Sequence, residues 1–502
     1  MAGPALLAGV GLALSLPPWG FWILAFPSAG LLWWRLGGLA PRARLWAGWL
    51  VGLGLYVPGL AWARSFTVPG AAVLIAVEAL FPALACLAVP ARPLAARALA
   101  FPAAMTLAEA VRMTWPFGGL PIGGVFLGQA GGPVLGVARL GGPLGLTLVV
   151  YAGGVAVGAL AVAVAGRRGV VPWGPWVAAA VALVAVVAPT VAGAAAPDGG
   201  PSVGTVTTAA VQGGGVRGFR KSQVDPATVL AAQLAATARI PESHRGHGPE
   251  LVLWPEDVVS LDSPLDDSPE EAALSALAAR LHTTLVVGIT ETVSSTAFRN
   301  EAVAWGPDGT LVARYEKVHR VPFGEYVPDR GFFSHLGNLS AVPLDAVPGT
   351  GSGLMTTPAG PLGAMISYEV FYADRGRPSV RDGAELLIVP TNTSSYATAQ
   401  VPTQEIAASE VQAVQLGRDL LQAAPTGFSA AVTNRGVLLA RSTLGARQVV
   451  LATLDRRTGR TVYVRFGDLP VLLLAALALA AGWAVAAWRS RAARHGFPTV
   501  AG

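Results

Sequence analysis

Long apolar runs dominate the first 195 residues, and one more lies near the carboxyl terminus. A helix needs about 20 mostly apolar residues to cross a bilayer, so the pattern predicts about seven early spans and one late span. The first run is the shortest, and without a basic start or a small-residue cleavage site we interpret it as an uncleaved anchor. The predicted spans lie near residues 4–18, 20–39, 45–63, 69–90, 98–113, 141–165, 173–193 and 469–488.

The arginines give the expected orientation of these spans. The larger groups of arginines follow the second, fourth, sixth and last spans. In that order they are Arg35, Arg42 and Arg44; Arg92 and Arg97; Arg167 and Arg168; and Arg489, Arg491 and Arg494. A thinner set lies on the other side: Arg64, Arg112 and Arg139. Because basic loops stay in the cytoplasm, the region between the seventh and the last span is expected to face outward.

We therefore predict three regions. Residues 1–194 form an amino-terminal membrane domain, and residues 195–468 form an extracytoplasmic domain. Residues 469–502 form a final transmembrane helix with a basic cytoplasmic tail. The expected location is a bacterial plasma membrane, crossed several times.

Short strand patterns alternate with helical patterns in the outward region. Asp225 and Ser268 are expected to cap helices over 225–240 and 268–282, and a third helix is predicted over 403–424. Hairpins are predicted over 300–319, around Pro307-Asp308-Gly309, and over 428–442. Further strands are expected at 203–212, 250–257, 283–290, 360–367 and 384–392. The alternation predicts a layered α/β domain with a buried sheet.

Composition narrows the class of protein. The 502 residues are 53% hydrophobic and only 13% charged, which is too apolar for an ordinary soluble protein. The net charge of +6 comes largely with arginines that flank apolar segments, so no nucleic-acid partner is predicted. Cys86 is the only cysteine, which excludes an intramolecular disulfide. The sequence has no Cys/His cluster and no phosphate-binding glycine loop, so neither a metal nor a cofactor is expected.

Three polar residues lie where predicted strands end. They are Glu256 in "WPED", Lys317 in "YEKVHRVPFGEYVP" and Ser367 in "ISYE". An acid that accepts a proton, a lysine that stabilises an oxyanion and a hydroxyl that attacks would form an acyl-transfer site. Taken singly, each has an ordinary interpretation as a surface acid, a solvated hairpin end or a strand-end serine. His319 is an alternative base.

The segments "LVLWPED", "YEKVHRVPFGEYVP" and "ISYEVFYADRGR", in this order, resemble the nitrilase superfamily. The "PFGEYVP" loop and the flanking spans resemble its bacterial apolipoprotein N-acyltransferase branch, as do "VPTN" (389–392) and residues 416–436. This resemblance implies a polytopic α-helical membrane domain plus a nitrilase-like α-β-β-α sandwich. It also implies an activity. A fatty acyl chain would pass from a membrane phospholipid, through a covalent acyl-enzyme, to the α-amino group of the diacylglyceryl-cysteine of an apolipoprotein.

The resemblance also assigns roles to residues. Glu256 is expected to be the general base and Lys317 the oxyanion stabiliser, while Glu325, Tyr368 and Glu369 support the site. Ser367 stands where the family has its nucleophilic cysteine.

This serine leaves several interpretations open, because a thiol is far more readily activated than a hydroxyl. Ser367 attacks and forms an oxygen ester, or the chain is an inactive or binding-only paralogue, or the serine is an engineered replacement. A membrane-tethered amidase that acts on small amides is a further alternative.

Two loops rich in aromatic residues lie over residues 113–124 and 321–336. They are expected either to form a lip through which lipid substrates reach the site or to anchor the protein at the headgroup level.

Overall fold

A computed structural model describes residues 2–165, 173–218, 223–240, 248–335, 339 and 342–494. The chain divides into two compact units. We call Met1–Ala196 with Phe466–Gly502 the helical unit, and Pro197–Arg465 the sandwich unit. Arg167 and Arg168, the tail beyond residue 494 and the last residue of the 321–336 loop lie outside the described residues.

The helical unit forms helices at the predicted span positions. Among the described residues, five segments are long and apolar enough to cross a membrane, by length and composition alone: Val68–Ala88, Leu94–Arg112, Leu135–Ala165, Trp173–Ala195 and Leu469–Ala492. The count of eight spans stays a prediction. The helices are α1 (Ala2–Ser15), α2 (Ala25–Arg35), α3 (Pro41–Gly59), α4 (Val68–Glu78), α5 (Leu80–Ala88), α6 (Leu94–Arg112), α7 (Ala138–Ala165), α8 (Trp173–Ala195) and a final helix, Leu469–Arg494.

Small residues let these helices pack closely. A Cβ atom on Gly9 of α1 would lie 2.2 Å from the carbonyl oxygen of Val51 in α3. A Cβ on Gly154 of α7 would lie 2.5 Å from the Cβ of Ala29 in α2. Glycine at these crossings allows backbone-to-backbone contact, which is how helices associate where lipid replaces water.

A buried arginine fixes the loop that follows α6. Arg112 is fully buried and pairs with Glu78 at 3.0 Å and with Glu109 at 2.7 Å. Its guanidinium also donates to the backbone carbonyls of residues 120, 121 and 122. The stem of the 113–124 loop is therefore held by charge-assisted hydrogen bonds, while Trp115 and Phe117 at its tip are exposed.

The sandwich unit contains two sheets. The first has the order β14-β1-β2-β4-β5-β6, with β3 paired to β4 and β7 to β5, and the second has the order β13-β12-β11-β10-β9-β8. The strands are, in order from β1 to β14, Ser202–Gln212, Leu251–Leu253, Val259–Leu261, Thr284–Ser294, Ala297–Trp305, Leu311–Glu316, Asp345–Ala346, Leu354–Thr357, Gly360–Ala364, Leu386–Pro390, Leu420–Ala423, Ala430–Val432, Leu438–Arg441 and Gln448–Arg457. The helices α9 to α14 are Pro226–Thr237, Pro269–Leu281, Arg330–Phe333, Ala373–Arg381, Gln400–Leu416 and Val462–Phe466.

The two sheets pack face to face over an apolar core. Ala302 of β5 and Ile388 of β10 belong to this inner core, and both are fully buried. The other face of the first sheet packs against α9 and α10 through residues such as Trp305 and Leu277. Helices α12 and α13 contact the second sheet. The predicted fold class, a helical membrane domain plus an α-β-β-α sandwich, is confirmed.

Local signals predicted several elements correctly. Asp225 caps α9 by accepting a hydrogen bond from the Ala227 N–H at 3.1 Å, and Ser268 caps α10 by accepting one from the Glu271 N–H at 3.0 Å. The helix predicted over 403–424 is correct up to Leu416 and wrong after it. It ends at Leu416 because Gly417 adopts a left-handed conformation, with φ of +66°, and Leu420–Ala423 form β11 beside β10.

Glu301 in β5 is a buried acid away from the inner core. Its side chain is 1% exposed, and neither carboxylate oxygen has a hydrogen-bond partner among the described residues. The nearest cation is Arg314, whose Nη1 lies 3.8 Å from Oε1. Burial raises the pKa of Glu301 to about 7, although Arg314 opposes the shift.

We expect this acid to make the stability of the sandwich unit depend on pH. A folded-state pKa above the unfolded value of 4.5 favours folding below about pH 4.5, and this contribution is lost as pH rises through about 7. Glu301→Gln should therefore raise the melting temperature progressively relative to the parent protein between pH 5 and 8, by the equivalent of up to about 3 kcal/mol. Asp262→Asn, which removes an exposed carboxylate, is the control. Parallel pH curves for the parent protein and Glu301→Gln would contradict this expectation.

Candidate active site

The ammonium group of Lys317 lies between two carboxylates at the end of β6. Lys317 is 1% exposed, and its Nζ donates to Glu256 Oε1 at 2.8 Å and to Glu325 Oε1 at 2.7 Å. The side-chain amide of Asn300 donates to the same two oxygens, at 2.9 and 3.0 Å. Asn300 from β5, Glu256 after β2 and Lys317 after β6 thus form one buried network with Glu325.

Electrostatics keep this lysine charged. Burial disfavours the ammonium, but the adjacent carboxylates of Glu256 and Glu325 outweigh burial and raise the pKa of Lys317 above its usual range. Burial raises the pKa of Glu325, although Lys317 opposes that shift. A cation fixed in a dry site stabilises negative charge that develops next to it.

Ser367 lies where the chain turns sharply after β9. It begins a short 3-10 helix, Ser367–Phe371, and its φ of +49° is left-handed, which is uncommon for any residue but glycine. Ile366 before it is extended and buried, whereas Ser367 itself is half-buried. A strained backbone at a polar residue is a feature that clusters at reactive sites.

Glu369 connects the lysine to the serine. Its carboxylate is fully buried and accepts hydrogen bonds from four donors. The donors are the N–H groups of Val318 at 2.8 Å, His319 at 3.0 Å and Ile366 at 2.8 Å, and the hydroxyl of Tyr315 at 2.9 and 3.0 Å. Because Val318 follows Lys317 and Ile366 precedes Ser367, one carboxylate fixes both strand ends.

Arg375 supplies a compensating charge for Glu369. Its Nη2 donates to the Tyr315 hydroxyl at 3.1 Å, and its Nε lies 3.7 Å from Glu369 Oε1. A buried carboxylate that lacked such partners would be costly.

Tyr368 and His319 belong to an aromatic cluster beside this network. Tyr368 is 6% exposed and packs edge-to-face on Tyr372, with ring centroids 5.0 Å apart. The His319 ring stacks on the Tyr372 ring, with centroids 4.2 Å apart, and its Nε2 lies 3.7 Å from Asp374 Oδ2. His319 therefore has a packing role here, and its role as an alternative base has no support from a contact with Ser367.

Three further groups in this region are not predicted from the sequence. Asn300 has a weak signal, because it lies between Arg299 and Glu301 in β5 and reads as one more polar residue of that strand. Glu405 is a buried acid on α13, and Tyr396 is a tyrosine whose pKa is raised first by burial and then by Glu405. Within the described part of the chain, no group of three or more His, Cys, Asp or Glu residues is arranged to hold a metal ion.

A sequence profile described as carbon-nitrogen hydrolase matches residues 207–463, so the sandwich unit belongs to that class. A second profile, described as apolipoprotein N-acyltransferase N-terminal domain, matches residues 8–156. With both halves matched, the chain belongs to the apolipoprotein N-acyltransferase family.

Curated relatives agree over most of the chain. An apolipoprotein N-acyltransferase of Mycolicibacterium smegmatis is 31% identical over 87% of this chain and 77% of its own length. Proteins of the same name from Allorhizobium ampelinum and Vibrio vulnificus are 28% and 26% identical. The match covers 89% of both chains in the first case, and 97% of this chain and 96% of the relative in the second.

We expect Glu369→Gln to disrupt both strand ends. The amide places an NH₂ group against N–H donors and leaves at least one of them unpaired, which costs about 2–3 kcal/mol. The melting temperature should fall, and any acyl transfer should fall at least about tenfold. Glu316→Gln, at the partly exposed end of β6, is the matched control. Unchanged stability and activity in Glu369→Gln would show that this carboxylate does not organise the site.

Proposed function

We propose that this protein is an apolipoprotein N-acyltransferase. It transfers a fatty acyl chain from a membrane phospholipid to the α-amino group of the N-terminal diacylglyceryl-cysteine of an apolipoprotein. The observation that carries the proposal is that the family profiles match both the helical unit and the sandwich unit. This membership does not favour a binding-only paralogue, and a small soluble amide would not need the membrane helices that accompany the sandwich.

In the first half-reaction, the Ser367 hydroxyl attacks the ester carbonyl carbon of the phospholipid. Glu256 accepts the hydroxyl proton, and the ammonium of Lys317, 2.8 Å from Glu256, stabilises the oxyanion. The bond from the carbonyl carbon to the glycerol oxygen then breaks. Glu256 returns the proton to that oxygen, so that a lysophospholipid leaves and the acyl chain remains as an oxygen ester on the serine.

In the second half-reaction, the α-amino group of the lipoprotein attacks the ester carbon. Glu256 takes a proton from the attacking nitrogen and gives it to the serine oxygen as the ester bond breaks, so an amide forms and the enzyme is regenerated. Glu325 and Asn300 hold Lys317 in place, and Glu369 and Tyr368 support the turn at Ser367.

Lipid substrates also define where the site works. Donor and acceptor both carry acyl chains, and the apolar helices give the protein its membrane setting. We propose that the protein crosses the plasma membrane several times and holds the sandwich unit on the extracytoplasmic side. The basic groups that follow the even-numbered spans support this orientation.

The nucleophile is tested by labelling with a phospholipid that carries a fluorescent acyl chain. We expect the label on Ser367 as an ester that resists neutral hydroxylamine and then moves to a diacylated lipopeptide. Ser367→Cys should form a hydroxylamine-labile thioester at least about a hundredfold faster, because a thiol is the stronger nucleophile. Ser367→Ala should take no label, and Ser295→Ala, in an exposed turn, is the control.

Other outcomes would count against this function. Lipopeptide binding without transfer, even in Ser367→Cys, would favour a binding protein. Release of ammonia from simple amides without transfer to lipopeptide would favour an amidase.

The orientation is tested with single cysteines. Cys86 is the only cysteine and is fully buried, so it gives little background. Ser295→Cys, in the sandwich unit, should react with a membrane-impermeant thiol reagent on intact cells. Ser490→Cys, near the end of the final helix, should react only after lysis, and the opposite pattern would reverse the topology.

A further inference from the structure

The end of β10 lies beside the reactive turn. Strands β9 and β10 are parallel, with Ile388 opposite Ala364. Thr391 and Ser367 each come three residues after this pair, so both follow the carboxyl ends of neighbouring parallel strands, at one edge of the sheet. Thr391 is fully buried, and its N–H donates to the carbonyl of Ala423 at 2.9 Å, which joins the edge to β11.

Hydrogen bonds join Glu405 of α13 to this edge of the sheet. The Thr391 hydroxyl donates to Glu405 Oε1, and the Gln422 amide of β11 lies 3.4 Å from Oε2. Gln422 is itself fixed, because its oxygen accepts from Ser409 at 2.6 Å and its NH₂ donates to the carbonyl of Phe428 at 2.9 Å. Glu405 is 1% exposed, so its carboxyl group is held in a dry site.

We propose that Glu405 is a further positioning residue of the acyl-transfer site. Through Thr391 it holds the strand edge next to Ser367, and it places another buried carboxyl group near the pair formed by Glu256 and Lys317. This inference rests on the proposed function.

The charge on Glu405 then matters for the reaction. Burial raises the pKa of Glu405 to about 8, the Thr391 hydrogen bond opposes this, Glu256 adds to it and Lys317 opposes it. Tyr396 also interacts with Glu405. A carboxyl group with a pKa of about 8 is mostly uncharged at neutral pH. Its ionisation above about pH 8 adds negative charge near the place where the oxyanion forms, and acyl transfer falls.

The experiment is the pH profile of acyl transfer by the full-length protein between about pH 6 and 9.5. The parent protein should lose activity in an alkaline limb near pH 8. Glu405→Gln should lose this limb whatever its rate at neutral pH, because an amide does not ionise. Thr391→Val should move the limb to higher pH, because it removes a hydrogen bond that lowers the pKa of Glu405. Glu385→Gln, at the opposite end of β10, should behave as the parent protein.

The possible results of this experiment have distinct meanings. An alkaline limb that persists in Glu405→Gln overturns the inference. Where thermal unfolding shows that Glu405→Gln is destabilised, Thr391→Val decides: a limb at higher pH supports the inference and an unmoved limb overturns it. Absence of any acyl label on Ser367 in the parent protein is a different result, because it refutes the proposed function itself.

Discussion

The sandwich unit is organised around one ammonium group between two carboxylates. Three charges removed from water are expensive, and they are tolerated only where each charge has close partners of the opposite sign. Lys317 and Glu325 lie eight residues apart and Glu256 is distant in sequence, yet the three charges satisfy one another, with Asn300 completing the set. These contacts hold the loop that carries Glu325 against the end of β6. The same contacts therefore stabilise the fold and arrange the groups proposed for catalysis.

Glu369, another buried carboxylate, fixes the backbone on both sides of the site. Its carboxylate gathers N–H groups from the strand ends on either side of the site and holds the reactive turn at a fixed distance from the lysine. If Ser367 attacks as proposed, a rigid position matters more for its hydroxyl than it would for a thiol, since a hydroxyl depends on its neighbours for activation. The dense hydrogen bonding around Ser367 therefore provides the rigid position that a reacting serine would need.

The parts of the structure that depend on neighbouring residues could be predicted from the sequence. Asp225 and Ser268 mark the starts of their helices, and Pro307-Asp308-Gly309 marks the turn of its hairpin. These elements are predictable because caps and turns depend on residues that are close in sequence. The helix placed over 403–424 failed at Gly417, where partners distant in sequence turn an apolar run into a strand. Asn300 and Glu405 were missed for the same reason, since only the folded sheets bring them near Lys317.

The left-handed backbone of Ser367 has a consequence for stability. Glycine adopts this conformation without the penalty of about 1–2 kcal/mol that a side chain incurs, so it is the residue that folding alone would favour there. A glycine at position 367 would therefore stabilise the turn while removing the hydroxyl proposed as the nucleophile. The serine side chain stands at this position against the preference of the fold.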